Sequence, residues 1–274
     1  MVNARSTRAL TRDTGTFVRS TPGSHSLERG LHLLRAFRHG VGVLTNAELA
    51  QRTGLPRPTV SRLVRSLVDA GFLAYDRPQA GYRLTAACLS LALSYRSSEY
   101  LLEEALPRIR EVAQGRLVNI GLAVADQLEM VYLDSLRFSR MGGMRKILPG
   151  SRIPIASTAL GCGFLAGMEP TAREVLLGQL ARGHLEAWPK LKRRVDAALR
   201  AVRKNGYCSA EWQAGMVAVA TPLHSPTGRL YSLNLSFPAS MPVPTETMQA
   251  HSNLLLALAG DIRKVWDGDF ARHA

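Results

Sequence analysis

Apolar residues between positions 26 and 84 are spaced first as in helices and then as in strands. In the first helical segment, apolar side chains three and four residues apart predict a helix with Leu27, Leu31, Leu34 and Phe37 on one face. In the third helical segment, the same spacing predicts a buried stripe of Val60, Leu63, Val64, Leu67 and Val68. Short apolar segments at 72–75 and 82–84 flank a turn, which predicts a hairpin of two strands.

Start and stop signals divide this region into three helices. The sequence Thr45-Asn46-Ala47-Glu48 has the pattern of a capping box, which predicts that the second helix begins there. The third helix would begin near Pro58, where proline is tolerated in the first turn, and would end at Gly71. Two helices, a turn containing Gly54, a third helix and a hairpin are together typical of a winged helix-turn-helix.

The pattern after residue 86 predicts a second domain of helices and strands. Strands are indicated at 117–124, 128–133, 217–223 and 230–237, and helices at 86–96, 99–114, 156–167, 171–180, 191–204 and 245–266. This mixture predicts an α+β fold with a largely antiparallel sheet. We therefore expect a disordered basic tail at 1–24, a winged helix-turn-helix domain at 25–86, linker helices at 87–116 and a second domain at 117–270.

The charge distribution favours a polyanionic partner. The 274 residues include 35 Lys and Arg against 21 Asp and Glu, which gives a net charge of +14. Residues 1–85 hold 13 arginines and 5 acidic residues, so this part of the chain alone has a net charge of +8. Arginine pairs bidentately with phosphate and with guanine edges, which favours nucleic acid. A generally basic protein without a nucleic-acid role is the alternative, because charge alone does not separate the two.

The third helix supplies the candidate DNA-reading residues. Its outward face has no acidic residue before Asp69, as a helix that enters the major groove requires. The candidates on this helix are Arg57, Thr59, Ser61, Arg62 and Arg65, with Arg62 expected on a base edge. Arg77 at the hairpin tip would contact phosphate or the minor groove. Thr45 and Asn46 stand at the start of the second helix, whose N-terminus would bind a phosphate. A plain three-helix core with a solvated arginine face, and simple capping by Thr45, are the competing interpretations.

Other function classes receive little support. A cysteine-dependent enzyme with an accessory basic domain is the main alternative, but neither Cys162 nor Cys208 has a histidine partner in a known motif. RNA modules use aromatic stacking, and aromatic residues make up only 6% of the chain. We expect no catalytic residue, no cofactor and no metal site. Three widely spaced cysteines fit a reducing cytoplasm, and the longest apolar run is too short to cross a membrane.

Short motifs in the expected order resemble those of the IclR family of bacterial transcriptional regulators. In the first domain the resemblance rests on SLERG at 26–30, ELA at 48–50, GLP at 54–56, TVSRL at 59–63 and AGFL at 70–73. In the second domain it rests on GSRIP at 150–154, TALG at 158–161, GY at 206–207, Glu211, Gly215 and ATPL at 220–223. The resemblance covers about residues 25–268, and it implies that the second domain is a GAF-like effector-binding domain.

This resemblance also implies a function and a second site. It implies a homodimer or homotetramer that binds double-stranded operator DNA and responds to a small organic acid, with aromatic acids as leading candidates. Repression and activation both remain open. By alignment of motifs, the effector-binding positions are Ala159, Leu160, Cys208, Ala218, Asn234 and Ser236. Where the family has an acidic residue, a cysteine and a serine, this chain has Cys208, Ala218 and Asn234, so its effector would differ from a small oxoacid. Core packing is the competing role for each position.

Overall fold

A computed structural model describes residues 23–138 and 147–273. The chain divides into two compact units, with the boundary between Ser98 and Glu99. The tail expected at residues 1–24 lies outside the described residues, apart from its last two positions. In the part of the chain that is described, no helix is long and apolar enough to cross a membrane.

The first unit contains three helices, a hairpin and a fourth helix. The elements are α1 (His25–Arg35), α2 (Asn46–Thr53), α3 (Arg57–Asp69), β1 (Leu73–Asp76), β2 (Gly81–Leu84) and α4 (Ala86–Ser98). The two strands are antiparallel, with Leu73 opposite Leu84. This order confirms the predicted winged helix-turn-helix. Its core is made of Leu33, Leu44, Leu49, Val60, Leu63, Val64 and Leu73.

The apolar residues predicted to share one face of α1 are not all buried. Leu27 and Leu31 are 63% and 51% exposed, whereas Leu33 is completely buried and Leu34 and Phe37 are partly buried against it. The helical period was correct, but α1 carries two apolar stripes, and only packing against α2 and α3 decides which of them faces the core.

The second unit is built on one six-stranded sheet with helices on both faces. Its strands are β3 (Asn119–Asp126), β4 (Glu129–Arg137), β5 (Arg152–Pro154), β6 (Cys208–Gln213), β7 (Met216–His224) and β8 (Leu230–Pro238). Its helices are α5 (Tyr100–Arg116), α6 (Ala159–Gly167), α7 (Pro170–Gly183), α8 (Trp188–Asn205) and α9 (Thr245–His273). The strand order is β5-β4-β3-β8-β7-β6, and every neighbouring pair is antiparallel, which confirms the predicted sheet type.

The two faces of this sheet bury separate cores. One face packs large side chains such as Ile120, Leu122 and Leu235 against α5 and α9, where the Trp266 indole Nε1 donates to the Leu101 carbonyl at 2.6 Å. The helix α5, expected as part of a linker, thus contributes core residues of the second unit. The other face carries smaller side chains and packs against α6, α7 and α8. The small side chains leave space between this face and α6.

Candidate functional site

Helix α3 presents its polar residues to solvent because its apolar stripe is fixed in the core. Val60, Leu63 and Val64 are buried, which turns the other side of the helix outward. On that side Arg57, Ser61, Arg62 and Arg65 are exposed, and Thr59 is partly buried. The first turn contains no acidic residue. Exposed guanidinium groups on a helix face with no carboxylate before Asp69 suit the donor and acceptor pattern of DNA.

The capping box predicted for α2 is present. The Glu48 backbone N–H donates to Thr45 Oγ1 at 3.3 Å, and the Thr45 backbone N–H donates to Glu48 Oε2 at 2.8 Å. Hydrogen bonds from the Thr45 backbone and then from its hydroxyl lower the pKa of Glu48. Thr45 is therefore engaged in holding the start of α2.

The structure brings the start of α2 next to the outward face of α3. Asn46 Nδ2 donates to Ser61 Oγ at 3.4 Å. Asn46 Oδ1 is buried and has no hydrogen-bond partner among the described residues. Two of the candidate residues, distant in sequence, thus lie on one continuous surface.

Arg77 lies in the turn between β1 and β2 and is exposed. The turn is held by Asp76, whose Oδ1 accepts from the Gln79 N–H at 3.1 Å. Next to this turn, Gly81 packs against Val43 and Leu44. A Cβ on Gly81 would lie 2.9 Å from the Leu44 carbonyl oxygen, so the close approach of these backbones requires glycine. The contact between Gly81 and Leu44 holds the hairpin in place, and Arg77 in the turn remains exposed to solvent.

A small cavity, partly open to solvent, lies in the second unit between the start of α6 and the sheet. It contains five of the six predicted effector-binding residues: Ala159, Leu160, Ala218, Asn234 and Ser236. Its other lining residues are Tyr132, Arg137, Ile147, Ile153, Thr158 and Trp212.

The strand register explains which side chains reach this cavity. Arg137 on β4 is opposite Asn119 on β3, which is opposite Ser236 on β8, which is opposite Ala218 on β7. Residues that are directly opposite each other point to the same face of a sheet, so these four side chains form one row. A second row contains Gly121 and Asn234. The glycine and alanine in these rows have little or no side chain, which leaves the space that the cavity occupies.

Two buried polar atoms at the cavity have no hydrogen-bond partner among the described residues. Asn234 is 5% exposed, and its Oδ1 has no hydrogen-bond partner among the described residues. Arg137 donates from Nε to Ser135 Oγ at 3.1 Å, whereas its Nη1 is buried and has no described partner. Burial lowers the pKa of Arg137 and raises the pKa of Tyr132 to about 12. The arginine remains a cation and the tyrosine remains neutral at physiological pH.

Cys208 is not among the residues that line the cavity. Its thiol donates to the Ala159 carbonyl at 3.4 Å, which places it behind the wall formed by α6. The same wall is held by Ser232 Oγ, which donates to the Leu160 carbonyl at 2.7 Å, and by Thr158 Oγ1, which accepts from the Gly161 N–H at 3.2 Å. Cys208 therefore supports the position of Ala159.

The two buried thiols are poorly suited to nucleophilic chemistry. Burial raises the pKa of Cys162 to about 12, and it also raises the pKa of Cys208. The Cys162 thiol lies 3.9 Å from the Ala156 carbonyl. A cysteine nucleophile needs a lowered pKa, because the thiolate is the reactive form. The environment of both thiols is the opposite of the one that an enzyme of this type requires.

Tyr132, Arg137 and Trp212 were not identified from the sequence. Each lies in a strand with an ordinary alternating pattern, and nothing local separates them from other half-buried strand residues. Arg137 ends a strand that also carries Glu129, Asp134 and Ser135, so no local signal marked it as a residue of the cavity.

Both units match models of known protein families. Residues 26–77 match the IclR helix-turn-helix domain, and residues 93–264 match the bacterial transcriptional regulator IclR C-terminal domain. The Pca regulon regulatory protein of Pseudomonas putida is 27% identical over 251 residues, which are 86% of this chain and 82% of that protein.

Solved structures show the same architecture. An IclR family transcriptional regulator from Brucella abortus is 32% identical, with a TM-score of 0.75 over 86% of this chain and 90% of that one. An IclR homolog from Microbacterium hydrocarbonoxydans, solved in complex with 4-hydroxybenzoate, is 23% identical, with a TM-score of 0.66 over 89% of this chain and 99% of that one. At this identity the second similarity concerns the fold.

Proposed function

The chain belongs to the IclR family of bacterial transcriptional regulators, and we propose that it reads operator DNA with α3 and binds a small organic acid in the cavity beside α6. It is a regulator and not an enzyme. The observation that supports the DNA part is the outward face of α3, which has no acidic residue before Asp69 and is backed by the buried side chains of Val60, Leu63 and Val64.

In this proposal α3 lies in the major groove. Arg62 contacts a base edge, and Arg65, three residues further, contacts a base or a phosphate. Arg57, Thr59 and Ser61 flank them at the start of the helix. Thr45 and Asn46 act through the start of α2, where free N–H groups and the helix dipole suit a phosphate. Arg77 contacts the backbone or the minor groove.

A second copy of the chain completes the DNA-binding form as a homodimer, or as a homotetramer of two such dimers. Exposed apolar side chains in the first unit support this assembly: Leu27 and Leu31 on α1, and Leu89, Leu91 and Leu93 on α4, are each at least half exposed. Apolar surface of this kind on a soluble protein commonly marks an interface. Two copies would read half-sites about one helical turn of DNA apart, in the cytoplasm.

The effector is a small organic acid, with aromatic acids as the leading candidates. The cavity supports this class because it combines apolar and aromatic walls, from Ile147, Ile153 and Trp212, with the cation of Arg137. A few placed polar groups among apolar walls are typical of small-molecule sites. The solved homolog with bound 4-hydroxybenzoate shows that this fold accommodates such a ligand.

One experiment tests both halves of the proposal. Purified full-length protein is footprinted on the DNA flanking its own gene, with and without a panel of aromatic and aliphatic acids. We expect one protected, roughly palindromic site, and a change in its occupancy with at least one acid. The same panel is screened by thermal unfolding, since a ligand at a hundredfold excess over Kd stabilises by about 2.7 kcal/mol. Absence of any specific footprint would contradict the DNA assignment, and equal binding by a monomer would contradict the assembly.

A further inference from the structure

The net positive charge of the second unit comes from a single helix. The unit, from Glu99 to Ala274, has 21 Lys and Arg against 16 Asp and Glu. Seven of these basic residues and one of these acidic residues are in α8, so the rest of the unit has 14 basic and 15 acidic residues. Helix α5, by comparison, carries three residues of each sign. The charge of α8 is therefore a local feature of the surface, since the rest of the unit is close to neutral.

Packing places most of these cations on one side of the helix. Val195 and Ala198 are buried in the core beside the sheet, which fixes the inward side of α8. With 3.6 residues per turn, Arg193, Arg200 and Lys204 lie on the opposite side. Two further cations flank them, and all five residues are exposed. These five residues form the basic face of α8: Lys190, Arg193, Arg200, Arg203 and Lys204.

The cations of the basic face are not neutralised by the described part of the chain. None of the five side chains forms a hydrogen bond or an ion pair with a described residue. The other two cations of α8 differ in this respect. Lys192 Nζ pairs with Asp196 at 2.6 Å, and Arg194 Nη1 donates to the Ser157 carbonyl at 3.3 Å. The single acidic residue of α8 is therefore already engaged outside the basic face.

Like charges are adjacent within the basic face. Arg203 and Lys204 follow Arg200 by three and four residues, so these side chains are neighbours on the helix surface. Like charges at these spacings destabilise a helix, whereas opposite charges stabilise it. A polyanion bound to the basic face would remove this repulsion. A second copy of the same face would increase it, so self-association through this surface is disfavoured.

Duplex DNA matches the basic face in chemistry and in size. Guanidinium and ammonium groups are the side-chain groups that contact phosphate oxygens. Lys190 and Lys204 are separated by about 21 Å along the helix, at a rise of about 1.5 Å per residue. DNA carries one negative charge for about every 1.7 Å of its axis, so a face of this length meets several phosphates. Contacts to phosphate carry no sequence information, so the basic face needs no particular base sequence.

We propose that the basic face of α8 binds the phosphate backbone of the DNA that flanks the operator, as a second DNA contact outside the winged helix-turn-helix. This proposal rests on the proposed binding of operator DNA by the first unit. Chain connectivity favours the flanking DNA over a separate duplex. The second unit begins directly after α4, so once the first unit is bound, the same duplex is present at a high effective concentration. The basic face raises the affinity of the complex and leaves sequence specificity to α3.

The test measures how DNA outside the operator contributes to binding. Full-length protein is titrated, by fluorescence anisotropy, with the footprinted operator alone and with the same operator extended by arbitrary sequence. The extension is about 15 base pairs on each side, against the roughly six base pairs that a face of this length covers. We expect the wild type to bind the extended duplex about fivefold more tightly, or better, at low salt. The slope of log K against log salt should be steeper for the extended duplex by about two units, since each phosphate contact contributes about 0.9.

The informative variant combines Arg193→Gln, Arg200→Gln and Lys204→Gln, which removes three cations of the basic face and keeps residues that favour a helix. Its affinity for the operator alone should equal that of the wild type. Its preference for the extended duplex should fall below about twofold, and the two salt slopes should become equal. Unchanged binding of the operator also shows that the variant is folded.

Two controls separate the basic face from net charge and from packing. The combination of Arg110→Gln, Arg116→Gln and Arg263→Gln removes the same charge from exposed positions of α5 and α9, and it should retain the preference for the extended duplex. The combination of Arg193→Lys and Arg200→Lys keeps both charges and should retain most of the preference, because phosphate contacts depend mainly on charge.

Several outcomes would overturn the proposal while the operator contact stands. These are equal affinity of the wild type for both duplexes, an unchanged preference in the variant of the basic face, and an equal loss of preference in both triple variants. A changed oligomeric state of that variant would assign the basic face to a second copy of the chain. Loss of regulated transcription with unchanged DNA binding would assign it to an acidic protein. If no operator is footprinted, the proposed DNA-binding function fails and this proposal fails with it.

Discussion

Asn46, the first residue of α2, donates from Nδ2 to Ser61 Oγ on α3 at 3.4 Å. This hydrogen bond joins the start of one helix to the outward face of the next. The two residues are 15 positions apart in sequence, and each belongs to the set of candidate DNA contacts. Any phosphate bound at the start of α2 would therefore lie at a fixed distance from the bases read by α3.

Arg62→Ala should weaken operator binding by about 1–3 kcal/mol, as expected for the loss of a bidentate contact to a base. The loss should be largest for the natural operator and should nearly vanish for an operator changed at the contacted base pair. Gel-shift titration of a set of single-base operator variants measures this. Arg110→Ala, which removes an exposed arginine of the second unit, is the matched control. A loss of affinity that is the same for every operator variant would mean that Arg62 contacts the DNA backbone and not a base.

Arg77→Ala should weaken binding to all sequences to a similar degree, because a phosphate contact carries no base information. It should also reduce the salt dependence of binding, with the slope of log K against log salt falling by about one unit. Titrations at four salt concentrations, on operator and on random DNA, give both quantities. An unchanged salt slope would mean that Arg77 faces solvent in the complex.

Thr45→Ala should lower the free energy of unfolding by about 1 kcal/mol, as loss of a helix N-cap commonly does. Part of this effect depends on pH. Hydrogen bonds from Thr45 lower the pKa of Glu48 from its ordinary value of 4.5, so the ionised form is favoured in the folded protein. The contribution is complete above pH 4.5 and is lost as the pH falls through the lower folded value. Denaturant titration at pH 7 and near pH 3.5 should show a smaller effect of the substitution at the acidic pH.

Ala218→Leu should abolish the response to the effector and leave operator binding unchanged. Ala218 lies in the cavity floor between Ala210 and Ser236 on the neighbouring strands, so a larger side chain would fill the space. Footprinting with and without the active acid checks this, with circular dichroism to confirm the fold. Ala197→Leu, at an exposed position of α8, is a control of equal size change. A normal response from Ala218→Leu would place the effector elsewhere.

The native protein should react with a thiol reagent at about one cysteine, and the unfolded protein at all three. Cys162 and Cys208 are buried, and burial raises the pKa of each, so little thiolate forms at pH 8. Cys88 on α4 is partly exposed and should react first. Titration with a chromogenic disulfide, before and after denaturant, counts the thiols. Fast reaction of Cys162 or Cys208 in the native state would show that α6 opens readily.

The sequence by itself determined the features that depend on near neighbours along the chain. The capping box of Thr45 and Glu48, the apolar stripe of α3 and the hairpins are local, because helix and strand periods and turn chemistry act over a few residues. The order of these elements was enough to predict the winged helix-turn-helix and the antiparallel α+β domain. The motifs around Ala159 and Ala218 also led to most of the residues found at the cavity, whose role as effector contacts is still a prediction.

Only the tertiary structure decided which residues from distant segments meet. The order of the strands brings Arg137 of β4 into one row with Ser236 of β8 and Ala218 of β7, although about 80 to 100 positions separate them in sequence. Alternation along a strand gives two faces but does not say which strand lies beside it or in what register. For the same reason the sequence did not show which leucines of α1 are buried, or that Cys208 contacts the Ala159 carbonyl and is not among the residues that line the cavity. Periodicity describes each element alone, and pockets arise between elements.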